Sequence, residues 1–135
     1  MNQCLNYAYG ILYAEVWRAL VGAGLDPYFG IIHGSEKGEA SLVFDLIEEF
    51  RAPFADRPVL SICGRGFRPG IRDNGMLRVR SRRLVAQAFS RLAAKALSWR
   101  GARLNLRQIL NRQARSLARV YQGRSTSYRG FHLRW

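Results

Sequence analysis

The sequence predicts a mainly α-helical single domain that carries one short β-hairpin. The chain has 135 residues, which is enough for one compact domain with its own core. Apolar residues recur at helical spacing in several long runs, whereas only the stretch around residues 73–79 has the turn residues of a hairpin. Glycine and proline stand between the runs, where helices are expected to end.

The acidic half of the chain contains three predicted helices. The first covers residues 2–21 and is apolar on most of its circumference, which is typical of a helix at the centre of a domain. Gly22 and Gly24 end it. The second helix covers "GEASLVFDLIEEFRA" and ends before Pro53, and the third covers "RPVLSICGR", with Pro58 in its first turn.

The basic half opens with the predicted hairpin in "FRPGIRDNGMLRVR". Its turn is formed by Asp73, Asn74 and Gly75, and its second strand holds Met76, Leu77 and Val79. Two amphipathic helices follow, in "SRRLVAQAFSRLAAKAL" and "RLNLRQILNRQARSLARVYQG".

The sequence predicts a helical domain, residues 1–123, and a basic aromatic tail, residues 124–135. Gly123 is expected to cap the last helix and so marks the boundary. The tail "RSTSYRGFHLRW" mixes arginine and aromatic residues without periodicity, so we expect it to be mobile or ordered by a partner.

Charge is distributed unevenly along the chain. The formal net charge is +13, but residues 1–70 sum to −2 and residues 71–135 to +15. A segment as basic as residues 71–135 is expected to bind nucleic acid or an anionic membrane surface. The candidate DNA contacts on the last two helices are Arg82, Arg83, Arg112, Arg115 and Arg119.

Cysteine usage and hydropathy exclude several classes of protein. Cys4 and Cys63 make neither a disulfide framework nor a zinc set, so we expect a reduced, cytoplasmic protein. No basic segment precedes the first apolar run, which argues against a signal peptide. Glu15 and Arg18 interrupt that run, which argues against a membrane span.

Five of the nine acidic residues lie between residues 31 and 51, close to His33. On the second helix, Asp45 can share a face with Glu48 or Glu49, because their spacings are three and four. Imidazole and carboxylate ligands suit Mn²⁺ or Mg²⁺ with open water positions. A solvated acidic helix face and a histidine bonded to backbone explain the same residues equally well.

Glu15, in turn, is expected to pair with Arg18.

Several motifs in order make the sequence resemble a known family. The segment "LNYAYGILYAEVWRALVGAGLDPYFGIIHGSEKGEASLVFDLIEEFR", and the downstream "RPVLS", "QARSLAR" and "YRGFHLRW", resemble the C-terminal helical domain of the CRISPR-associated adaptation integrase. That family is a metal-dependent DNA endonuclease and integrase that inserts spacers into CRISPR arrays by phosphodiester transesterification.

The resemblance implies specific roles. His33 and Glu48 match the metal ligands of the family, with Mn²⁺ or Mg²⁺ as cofactor, and Asp45 matches a second acidic position beside the metal. Glu15 matches a position that is not a ligand. The implied partners are double-stranded DNA, as protospacer and CRISPR repeat, a second copy of the chain, and the smaller adaptation subunit, with no membrane.

The sequence also departs from the family pattern. The N-terminal β-sandwich, and a further glutamate ligand before the "LNY" helix, have no counterpart in these 135 residues. We therefore expect a C-terminal part of a family member that binds DNA and, by itself, shows little or no metal-dependent cleavage. The alternative is a non-catalytic, arginine-rich nucleic-acid-binding module. A membrane-surface protein is a third possibility, since the last helix is strongly amphipathic.

Overall fold

The computed structural model describes residues 1–29 and 40–133, and it confirms a mainly α-helical fold with one short hairpin. The elements, in chain order, are helix α1 (Asn2–Gly22), helix α2 (Ser41–Phe50), a π-helical segment (Arg51–Asp56), helix α3 (Arg57–Gly64), helix α4 (Val79–Ala94), strand β1 (Leu97–Trp99), strand β2 (Ala102–Leu104) and helix α5 (Leu106–Tyr121).

Helix α1 lies at the centre of the domain, as its apolar circumference predicts. It packs against α2, the π-helical segment, α4 and α5. Each fully buried leucine on it, such as Leu12, contributes roughly 1.5 to 3 kcal/mol through removal of apolar surface from water. The buried side of α1 consists of Cys4, Ala8, Leu12, Val16, Ala19 and Leu20.

Pro53 changes the winding of the chain rather than ending its helical path. Helix α2 stops at Phe50, as expected before a proline, but the chain continues as a π-helical segment directly into α3. Proline has no N–H to donate and its ring crowds the preceding turn, so a wider turn accommodates it. Pro53 and Phe54 are both buried there, and their burial holds the segment in place.

The predicted hairpin at residues 73–79 is wrong in position. The turn forms, with the Gly75 N–H donating to Arg72 O at 2.9 Å, but only an isolated bridge joins Ile71 to Leu77. Val79, expected in a strand, is the first residue of α4. The Gly70 N–H donates to Ser81 Oγ at 2.8 Å, which ties this segment to the start of α4.

The antiparallel sheet instead joins β1 and β2 through a two-residue turn. Trp99 pairs with Ala102, and Leu97 with Leu104. Arg100 and Gly101 both have positive φ, 49° and 77°, as a type I′ turn requires. Arginine is unusual there, and its side chain is held by the Trp99 ring, 4.4 Å from the guanidinium carbon.

Helix α5 has clear signals at both ends. Asn105 Oδ1 accepts from the Gln108 N–H at 3.1 Å, and Gln108 Oε1 accepts from the Asn105 N–H at 2.9 Å, which is a complete capping box. Gly123 has φ 69°, so the predicted glycine cap is confirmed.

Residues 128–131 pack against the helical domain, whereas the sequence led us to expect a tail that is mobile or ordered by a partner. The tail has no helix or strand over residues 124–133, but Phe131 is buried and stacks on Phe50 with ring centroids 4.7 Å apart. Phe54 and Trp99 complete this aromatic cluster. Periodicity does not indicate the cluster, because its members come from four separate segments.

None of the helices in residues 1–29 and 40–133 is long and apolar enough to cross a bilayer.

Candidate functional site

Most apolar side chains of helix α2 face the core, whereas its acidic side chains are at least partly exposed. Leu42, Leu46 and Phe50 face the core and are buried. Asp45 is half-buried and Glu48 is exposed, one turn apart on the outer side of the helix. Their spacing of three within one helix is compatible with the predicted shared face.

Glu48 is engaged by an arginine one turn further on. Arg51 Nη1 donates to Glu48 Oε1 at 2.8 Å, and the Arg51 guanidinium carbon lies 4.5 Å from the centre of the Tyr9 ring. These contacts, the Glu48 hydrogen bond foremost, raise the pKa of Arg51 above its ordinary value. Arg51 thus occupies one oxygen of the Glu48 carboxylate, and no hydrogen bond from another described residue reaches the other oxygen.

His33 lies outside the described residues, so its distance to Glu48 is untested. Within residues 1–29 and 40–133, no three His, Cys, Asp or Glu side chains are grouped so as to hold a metal ion. The chain on both sides of that gap is anchored near α2. The Leu42 N–H donates to Pro27 O at 2.9 Å, and the rings of Phe29 and Tyr121 lie 6.2 Å apart.

Asp45 acts electrostatically on α5. Burial and, secondly, the negative charge of Asp45 raise the pKa of Tyr121, at the C-terminal end of that helix.

A groove of about 300 Å³ opens beside Glu48. Its walls are largely apolar and aromatic, with Glu48 and Arg51 as the charged groups. The sequence analysis did not single out these aromatic residues, because helical spacing alone does not show which side chains of α1 and α2 meet. The groove is lined by Tyr9, Gly10, Tyr13, Phe44, Ile47, Glu48 and Arg51.

Glu49 points the other way, into the protein. Its carboxylate accepts hydrogen bonds from Tyr128 Oη, Gln113 Nε2 and the Phe131 N–H. Of the two acidic residues that the spacing allowed beside Asp45, Glu48 therefore faces outward and Glu49 is structural.

Glu15 is also structural, as predicted, but it has a second partner. It pairs with Arg18 at 2.9 Å and accepts two hydrogen bonds from Arg107, at 2.8 and 3.0 Å. The Arg107 hydrogen bonds lower the pKa of the Glu15 carboxyl below its ordinary value. The Arg107 partner could not be read from spacing, because it lies on α5.

The candidate DNA-binding arginines differ in exposure. Arg112, Arg115 and Arg119 are exposed along one side of α5, opposite the buried Leu110 and Leu117. On α4, Arg83 is exposed. Arg82 is half-buried, and its Nε atom is inaccessible and without a hydrogen-bond partner among the described residues, so fewer of its donors can reach a phosphate.

Comparison with known proteins identifies the protein family that this chain resembles. The family described as CRISPR associated protein Cas1 matches residues 1–91. The CRISPR-associated endonuclease Cas1 1 of Archaeoglobus fulgidus is 36% identical over 146 aligned residues, covering 100% of this chain and 40% of the relative. The chain thus spans about two fifths of that relative's length.

Two solved structures share the fold. A casposase bound to integration product has a TM-score of 0.85 and 27% identity, covering 94% of this chain and 39% of that chain. A chain of a Cas6-RT-Cas1–Cas2 complex has a TM-score of 0.70 and 26% identity, covering 91% of this chain and 14% of that chain.

The helical fold of this chain is therefore shared with a part of each of these two proteins. The chain belongs to the Cas1 family of CRISPR-associated proteins.

Proposed function

We propose that this chain is the catalytic helical part of a divalent-metal-dependent DNA endonuclease and integrase of CRISPR adaptation. The observation that carries the proposal is the exposed Glu48 of α2 beside an open groove, one turn after Asp45, in a member of the Cas1 family. The reaction would be phosphodiester transesterification of a spacer into the array, in the cytoplasm, as part of antiviral defence.

The donor set on α2 fits Mn²⁺ or Mg²⁺. Carboxylate oxygens are preferred ligands of both ions. The Glu48 side chain is 57% exposed and its Arg51 partner 41% exposed, so the pair can separate without opening the core. Glu48 and His33 would hold the ion, with Asp45 beside it. When bound, it would activate the attacking oxygen and neutralise charge on the phosphodiester.

The arginines supply the second part of the proposed function. Arg112, Arg115 and Arg119 present forked donors to solvent, a geometry suited to bidentate contacts with phosphate oxygens. Double-stranded DNA, as protospacer and repeat, is the proposed ligand of this surface, together with Arg82 and Arg83. A second copy of the chain and the smaller adaptation subunit are proposed as protein partners, in line with the likeness to a chain of a Cas1–Cas2 complex.

This chain spans 40% of the Archaeoglobus relative. The test therefore uses a joined protein, in which the N-terminal part of that relative is fused before residue 1, and it measures strand transfer. His33→Ala and Glu48→Gln should each lower manganese-dependent strand transfer by about a hundredfold or more, since even indirect partners of metal ligands are worth about 10- to 100-fold. DNA affinity should stay nearly constant.

Asp73→Asn is the matched control, because it removes one carboxylate from an exposed turn and should leave activity unchanged. Activity that survives both His33→Ala and Glu48→Gln would contradict the metal assignment.

The Glu48–Arg51 ion pair favours a second candidate, a non-catalytic nucleic-acid-binding module. In that case Glu48 is an ordinary surface carboxylate. The joined protein would then bind DNA equally with manganese or with EDTA and would not transfer strands.

A further inference from the structure

The C-terminal tail is attached to the helical domain at one carboxylate. Glu49 Oε1 accepts from Tyr128 Oη at 2.7 Å, and Glu49 Oε2 accepts from the Phe131 N–H at 2.7 Å and from Gln113 Nε2 at 3.0 Å. Hydrogen bonds to an ionised carboxylate are roughly twice as strong as neutral ones. Both oxygens are thus occupied by donors from two other segments of the chain.

Gln113 extends this network and is itself fully buried on α5. Its Nε2 also lies 2.9 Å from Tyr128 Oη and 3.1 Å from Arg129 O. Water cannot replace the hydrogen-bond partners of a buried amide, so losing them raises the free energy of the folded state. The network therefore favours one position of residues 128–131.

The tail is also held on its other side by the hairpin. Arg100 Nη2 donates to Arg129 O at 2.8 Å. The rings of Trp99 and Phe131 lie 5.8 Å apart. Residues 128–131 are consequently enclosed between α2, α5 and the β1–β2 turn.

We propose that Glu49 is a positioning residue: by anchoring residues 128–131, it holds the last turn of α2, and with it Asp45 and Glu48, in a single orientation. Glu48 and Glu49 are adjacent in sequence, so fixing one carboxylate in the interior fixes the direction of the other toward solvent. Phe50, the next residue, stacks on Phe131 and completes the attachment. The consequence for strand transfer rests on the proposed function, whereas the anchoring does not.

Hydrogen exchange of the 135-residue chain tests the anchoring. In Glu49→Ala, the amides of residues 128–131 and of the last turn of α2 should both exchange about tenfold faster or more, the fold-change expected on losing one charge-assisted hydrogen bond. Glu49→Gln should have a smaller effect on both segments, because its amide can still accept at least one of the three hydrogen bonds.

Glu48→Gln is the matched control, since it changes the neighbouring, outward carboxylate and should leave exchange of the tail unchanged. If Glu49→Ala does not fold, Tyr128→Phe, which removes one donor and keeps the ring, carries the same test. Faster exchange in the tail alone, with α2 unaffected, would overturn the proposal.

Steady-state kinetics of the joined protein test the positioning. Glu49→Ala should lower kcat for strand transfer while KM for DNA stays within about twofold, because the arginines of α5 are untouched. Glu49→Gln should recover part of kcat. An unchanged kcat, in a variant whose α2 exchanges faster, would overturn the positioning role. A different outcome would contradict the proposed function alone: Glu49→Ala speeds exchange in both the tail and α2, but the joined protein shows no strand transfer even without the substitution.

Discussion

At the scale of single residues, the ionisation of Glu15 is linked to folding. Arg107, on α5, is its main partner and Arg18 a further one, and both favour the charged carboxylate. The Glu15 side chain is only 13% exposed, so these partners replace water that the carboxylate loses on burial. In the unfolded chain Arg107 is 92 positions away and contributes little.

A lowered pKa makes this contribution pH-dependent. The stabilisation is present above the ordinary pKa of 4.5 and is lost as pH falls through the lower pKa of the folded state. In urea titrations between about pH 3 and 7, wild type should therefore exceed Glu15→Gln in free energy of unfolding near neutrality and lose that advantage in acid. Asp73→Asn, which removes a carboxylate from an exposed turn, is the matched control. Parallel profiles for wild type and Glu15→Gln would contradict the prediction.

At the scale of elements, the ends of α5 depend on local chemistry. The capping box of Asn105 and Gln108 satisfies N–H groups that have no partner within the helix. Arg107, Arg112 and Arg115 all lie on this helix, so the cap supports both the Glu15 ion pair and the candidate DNA surface.

Removal of the cap should therefore destabilise the whole domain. We expect Asn105→Ala to lower the free energy of unfolding by about 1 kcal/mol, the usual cost of losing an asparagine cap. Asn111→Ala, at an exposed position inside the same helix, should be neutral or slightly stabilising, because alanine is the better helix former. Chemical denaturation of the two variants measures the difference, and equal effects would show that the capping box is not important for stability.

At the scale of the whole molecule, charge is segregated in space as well as in sequence. The outer side of α2 carries carboxylates, whereas α4, the hairpin, α5 and the tail carry most of the cations of residues 71–135. Binding of DNA to such a surface releases condensed counterions, so affinity depends steeply on salt and little on base sequence.

With six or more phosphate contacts, DNA affinity should fall by about a thousandfold or more between roughly 50 and 200 mM salt. Replacing Arg112, Arg115 and Arg119 by glutamine should lower the salt slope by about 0.9 for each phosphate that is no longer neutralised. Arg65→Gln is the control, because that exposed side chain follows α3, outside the basic residues 71–135, and should change the slope little. A flat titration for wild type would exclude the proposed DNA surface.

The sequence by itself determined the helices and their order. Each of the five α-helices within residues 1–29 and 40–133 overlaps a predicted helix, because apolar spacing, glycine and proline act within a few residues. The bounds of the last two were wrong: α4 begins at Val79, which was expected in a strand, and the ends of the predicted helices at Leu97 and at residues 103–104 form β1 and β2. The resemblance of ordered motifs also identified the family, which the match over residues 1–91 confirms. Proposed metal ligation by His33 and Glu48 stays a prediction.

Only the tertiary structure decided which polar residues have internal partners. Spacing allowed either Glu48 or Glu49 beside Asp45, and the choice depends on Tyr128 and Phe131, which lie 79 and 82 positions from Glu49. The hairpin was misplaced for a related reason. Arg100 is a poor turn residue by local rules, and its hydrogen bond to Arg129 O forms only once the tail is in place. Such contacts depend on distant segments meeting, which local periodicity does not encode.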